Sequence, residues 1–248
     1  MSKTPEINRL VLNGCSYMEN YADGNGHKEL ADKFNISNVK SLARAGSSNE
    51  RIFRTTLDDC YNNEKTLYVI GLTFVHRYEL PILSQSDPWN IEHHEGDKFQ
   101  WINNENLIDL GQLDSGITEN DVKQFHKLKT KFDVNSQAEL VFKSVYYYTS
   151  LVDSILNNGH QVVVFNTAET IFESYTNDPK LKYLEKYNKY IIKQFNWYSN
   201  EYQLNNGASI IKEDIDVDIP TIYKHIAPGE HKKLNEFLYD HISNNFYV

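Results

Sequence analysis

The chain reads as an α/β protein, a three-layer α/β/α sandwich around a five-stranded parallel sheet. Three observations predict it. Short apolar runs without alternation recur along the 248 residues, as strands buried on both faces require. Stretches with helical apolar spacing separate them. Three strand exits are small or polar: Gly14-Cys15-Ser16, Ala45-Gly46-Ser47 and Gly71-Leu72-Thr73. In open parallel sheets ligands bind beyond such carboxyl ends.

Residues 9–13 (RLVLN) form the first strand, a continuous apolar run. Residues 26–35 follow as a helix, with Leu30, Ala31 and Phe34 on one face. Residues 39–43 are a short second strand. Ser47 and Glu50 have the spacing of a capping box, and Ile52, Phe53, Thr56, Leu57 and Cys60 recur at helical intervals, so a helix begins at about Ser48. Residues 66–73 are a β-branched third strand. Residues 80–135 break the alternation and read as an insertion over the sheet edge; its core, about 84–134, is expected to act as a lid. Ser136 and Glu139 form a second capping box, opening a long helix that stops at Asn157-Asn158-Gly159. Residues 161–166 are a fourth strand and 179–203 a Lys/Tyr-rich helical region. Residues 209–211 supply the fifth strand. Pro228 opens a last helix with Leu234, Phe237, Leu238 and Ile242 on one face. The expectation is a single domain over 1–248 with that one insertion.

Composition narrows the function. There are 34 acidic and 25 basic residues, a net charge of −9. That argues against binding duplex nucleic acid through a broad basic surface, and leaves room for a small substrate in a local pocket. Two cysteines, Cys15 and Cys60, are too few for a disulfide framework and suggest reduced thiols in a cytoplasm. No apolar run has the length of a membrane span, and the first residues lack the core of a signal peptide. No metal or cofactor signature is present; His93-His94 and the pair His225 and His231 lack partners at ligand spacing.

Four stretches carry candidate chemistry. Ser16 follows a buried strand and Gly14, so it is either a nucleophile at a sheet edge or an ordinary turn serine. Gly46 stands at a helix mouth, where backbone N–H groups stabilise an anion, with Asn49 as a further donor; the alternative is a plain cap. Thr73 ends the third strand, and Arg77 beyond it either holds an anionic substrate group or pairs with Glu79. His225, in the loop before the last helix, is a suitable base near neutral pH. His231 reads as a cap or packing residue.

Taken in order, these stretches resemble the SGNH (GDSL-type) hydrolase family, and especially its divergent branch common in phage genomes. That family places a Ser after the first strand, a Gly after the second, a Gly-x-Asn after the third and a late His-Pro segment. Here the order reads Gly14-Cys15-Ser16-Tyr17, Gly46-Ser47-Ser48-Asn49, Gly71-Leu72-Thr73 and His225 to His231. The resemblance implies a flavodoxin-like sheet, Ser16 as nucleophile, Gly46 as oxyanion donor and His225 as general base. Thr73 stands where the family has its oxyanion Asn, and Asn49 is the candidate to assist it. Ile222 stands where the family has the Asp that orients the base; Asp218 or Asp216 substitutes, or the site works as a Ser–His dyad. The implied reaction is ester hydrolysis on a small acyl ester such as an acetylated sugar. Arg77, Tyr17 and the insertion's Trp89 are the expected substrate-binding residues. Acyl transfer at the same site, or a non-catalytic binding or regulatory role on this scaffold, are the alternatives.

Overall fold

The computed structural model describes residues 7–45, 47–73, 78–81, 99–102, 124, 137–167, 179–196 and 231–246. Five strands form one parallel sheet: β1 (Arg9–Asn13), β2 (Asn38–Ser41), β3 (Thr66–Leu72), β6 (Gln161–Asn166) and β7 (Ile191–Asn196), in the order β2-β1-β3-β6-β7. This is the doubly wound, flavodoxin-like order, and the winding reverses between β1 and β3. The helices are α1 (Ser16–Asp23), α2 (Gly26–Lys33), α3 (Asn49–Asp59), α4 (Gln137–Asn157) and α5 (His231–Phe246).

The apolar runs became strands because both faces are covered. Every residue of β1 and β3 is buried. Leu10, Leu12, Leu67, Val69, Val163 and Phe165 pack with α1, α2 and α5. Val11, Tyr68, Ile70, Leu72, Val162 and Val164 pack with α3 and α4. Strand alternation therefore supplies two separate cores, the three layers predicted. β2 lies at the sheet edge, is largely exposed and carries Lys40, a charge that discourages further strand pairing.

Four features differ from the sequence expectation. A short helix, α1, starts at Ser16, where the sequence reading had no element. The fifth strand of the described sheet is Ile191–Asn196; residues 209–211, read as a strand from the sequence, lie outside the described residues. The stretch read as one helical region is a 3-10 helix, Pro179–Tyr187, followed by that strand. Within the insertion region, β4 (Tyr78–Pro81) and β5 (Phe99–Ile102) form a separate antiparallel pair; the rest of 84–134, save residue 124, lies outside the described residues.

Candidate functional site

The site is built where the winding reverses, at the carboxyl ends of β1 and β3. β1 ends at Asn13, and two residues later the chain is helical. Gly14 makes that turn possible. Its φ is +158°, and a Cβ there would stand 2.3 Å from Met18 Cγ and 2.9 Å from the Gly71 carbonyl oxygen. Cys15 is the N-cap residue, and its carbonyl accepts from the Met18 and Glu19 N–H groups at 3.0 Å each. Ser16 is thus the first residue of α1 and is half-buried. The opening N–H groups of a helix have no intrahelical acceptor and carry the positive end of its dipole. The serine hydroxyl therefore stands in an environment that favours developing negative charge.

The chain leaving β2 is fastened beside this turn. Leu42 N–H donates to Leu12 O at 2.7 Å and Arg44 N–H to Gly14 O at 3.1 Å. Ala45 N–H donates to Glu19 Oε2 on α1 at 2.8 Å. Ser47 and Ser48 are both fully buried. The α3 cap is Ser48, whose Oγ accepts from Arg51 N–H at 3.2 Å; the predicted Ser47–Glu50 box does not form. Ser47 instead donates to Arg44 O at 2.6 Å, and Glu50 pairs with Lys143 at 2.8 Å. The helix starts one residue later than the box spacing assumed. Gly46 lies outside the described residues, between these two fixed segments.

Thr73 continues β3 and is fully buried. The Asn49 amide holds its backbone from both sides: Thr73 N–H donates to Asn49 Oδ1 at 2.9 Å, and Asn49 Nδ2 donates to Thr73 O at 3.0 Å. Asn49 therefore positions Thr73. From the neighbouring strand, Thr167 N–H and Oγ1 donate to Leu72 O at 2.8 and 2.5 Å. Thr167 Oγ1 also lies 3.6 Å from Cys15 Sγ. Burial, with Glu50 and Cys15 adding to it, raises the Tyr148 phenol well above its usual range, so that ring stays neutral.

The structure thus brings Ser16, Asn49 and Thr73 to one sheet edge. Tyr17 is also there, but packs in the core beside Leu10 and Met18. Arg77, Trp89, Asp218 and His225 lie outside the described residues. His231 opens α5 and is buried against Tyr21, ring centroids 5.3 Å apart and nearly perpendicular. Sequence reasoning missed Asn13, Thr167 and Asn166. Asn13 Nδ2 donates to Ile52 O at 3.1 Å and to the hydroxyls of Thr55 and Thr56, at 2.9 and 2.8 Å, and its Oδ1 accepts from Gly14 N–H at 2.8 Å. The available signal was an Asn closing an apolar strand, which both Asn13 and Asn166 do.

At the opposite edge of the sheet, a polar cavity of about 710 Å³ is lined by Arg9, Lys40 and Asp59 among others. Its charges are satisfied by one another: Asp59 takes both Arg9 nitrogens, at 2.8 and 2.9 Å, and Lys40 at 2.7 Å. Among the described residues no group of His, Cys, Asp and Glu could hold a metal ion. No helix among them is long and apolar enough to cross a membrane.

No family model matches the chain, and no curated protein matches it. Among solved structures, a Bacteroides fragilis protein to which acylhydrolase activity is attributed aligns over 99% of this chain and 93% of its own, at 12% identity and a TM-score of 0.42. A likeness at that level carries no argument about activity.

Proposed function

We propose that the protein is a serine ester hydrolase acting on a small acyl ester. The observation that carries this reading is the position of Ser16, first residue of α1 immediately beyond the central strand β1. Ser16 Oγ attacks the ester carbonyl. The Ser16 and Gly46 N–H groups, with Thr73 held in place by Asn49, receive the oxyanion. Each such donor is typically worth about 3 kcal/mol of barrier. His225 takes the serine proton and returns it to the leaving alcohol, with Asp218 on the far side of the imidazole. Arg77 and Trp89 line the substrate.

Chain reach supports His225 as the base. His231 is fixed against Tyr21 and Gly24, at the far end of the helix that Ser16 opens. That helix has 8 residues, so it spans only ~11 Å. Six residues of chain extend up to ~20 Å. A base six positions before His231 therefore has the length to return to Ser16.

A fluorophosphonate probe is expected to label the wild-type protein on Ser16 and to leave Ser16→Ala unlabelled. An unlabelled wild type with a cooperative unfolding transition sinks serine catalysis.

A further inference from the structure

Among the described residues three asparagines near the carboxyl edge are buried, and two of them are spoken for. Asn13 uses its amide on α3 and Gly14, and Asn49 uses its amide on Thr73. Asn166 differs. It is fully buried, yet neither its Oδ1 nor its Nδ2 has a hydrogen-bond partner among the described residues. Leaving such an amide unpaired destabilises a fold, and buried polar groups are nearly always bonded.

Its place gives it a use. Asn166 is the last residue of β6 and pairs in register with Leu72, the residue before Thr73. Thr167, next along the chain, approaches Cys15, which precedes Ser16. Continuing the alternation of Val162 and Val164, its side chain belongs to the α3–α4 face, the face of Leu72 and Asn13. The neighbouring strand gives way at the same point. Phe165 pairs with Ile192 but Asn166 pairs with Asn196, so one step along β6 is matched by four along β7. Irregular strand pairing of this kind is common beside active sites.

We propose that Asn166 is a substrate-contacting residue. Its amide donates to and accepts from a hydroxyl on the alcohol portion of the ester, which makes the substrate class a hydroxylated ester such as a monoacetylated sugar. The choice of ester rests on the Ser16 reading. A hydroxyl is the complement of a free carboxamide because each offers both a donor and an acceptor.

The test compares wild type with Asn166→Leu, a change of similar volume that removes both polar atoms. Acetate release is measured from a monoacetylated hexose and from p-nitrophenyl acetate, whose leaving group carries no alkyl hydroxyl. Asn166→Leu is expected to raise KM for the sugar ester about ten-fold, the size of one lost hydrogen bond. With p-nitrophenyl acetate the change stays within about two-fold, and the urea midpoint holds or rises, because an unpaired buried amide has been removed. A lowered midpoint overturns the proposal, since the amide then has a partner, such as an internal water, within the fold. Equal effects on the two esters overturn it as well. Absence of fluorophosphonate labelling overturns the hydrolase reading alone. Calorimetric binding of free glucose then decides Asn166: binding lost in Asn166→Leu supports it, and no difference overturns it.

Discussion

Asn49 shows how much of this site depends on one side chain in one orientation. Its amide matches the Thr73 peptide on both sides, donor to acceptor and acceptor to donor, and both residues are buried. Asn49→Ala removes both of these bonds from the buried Thr73 peptide, which costs about 2–3 kcal/mol. Asn49→Asp keeps the acceptor for Thr73 N–H but sets a carboxylate oxygen against the Thr73 carbonyl. It is expected to destabilise at least as much as the alanine, despite its closer shape, because a buried charge gains a repulsive neighbour. Urea midpoints of the two variants check this ordering; an aspartate milder than the alanine overturns the two-sided clamp. If Thr73 serves the oxyanion, both variants also lower kcat more than they raise KM.

At the scale of elements, α1 can lie on the sheet because two glycines make room for Met18. A Cβ on Gly71 would stand 2.6 Å from Met18 Cγ and 2.6 Å from Thr167 Cγ2. A Cβ on Gly14 would also meet Met18 Cβ, at 2.7 Å, and the Gly71 carbonyl. Gly71→Ala is expected to cost about 1–3 kcal/mol by overpacking. Met18→Ala relieves part of that cost, so the double mutant is more stable than the sum of the singles predicts. Gly14→Ala gains less relief: Met18→Ala removes the clash with Met18 Cγ, but Cβ of residue 18, backbone and an unfavourable φ all remain. Denaturant titrations of the five variants distinguish the two; additivity at Gly71 and Met18 overturns the packing account. The same contacts explain what was legible in the sequence. β1, β3 and β6 were readable because burial on both faces forces an apolar run. α1 was not, because its residues include Ser16, Glu19, Asn20 and Asp23, and it is stabilised by Tyr17, Met18 and Tyr21 packing on strands that arrive later. β7 hid among lysines and tyrosines, with Ile191 and Ile192 its β-branched signal. The strand exits holding Ser16 and Thr73 were visible as motifs. The Asn49 clamp was not, since it joins residues 24 apart that only the fold brings together.

For the whole molecule, the two outer layers are expected to fail at different pH. On the α1–α2–α5 side, burial pushes the His231 imidazole below its ordinary 6.5, with Glu29 and the Gly24 backbone pulling partly back. Burial, with Lys28 adding to it, pushes His27 down as well. A lowered histidine means the unfolded chain binds a proton that the fold resists. Stability is then intact above about 6.5 and falls as the pH drops from there through the lower folded values. The other layer holds until stronger acid. Burial pushes Asp59 up, but its bonds from Arg9, Lys40 and Tyr68 outweigh that, and the carboxyl ends below its ordinary 3.8. Its contribution is full above that value and disappears as the pH falls through the folded one. His231→Leu should therefore flatten the first decline, leaving the shares of His27 and of His241, which burial also pushes down, and gain on wild type at pH 5 relative to pH 8. Asp59→Asn should lose about 3 kcal/mol already at pH 7, because Arg9 keeps a charge in a nearly closed site, and should lack the second decline. Urea midpoints at pH 8, 5 and 3 resolve both stages. A wild-type midpoint that does not move between pH 8 and 5 means that α5 docks without resisting protonation of His231. The helix following His225 would then be held on the α1–α2 turn by its apolar face, Leu234, Leu238 and Ile242, and by the chain from Tyr21 through Asn235 to Glu29.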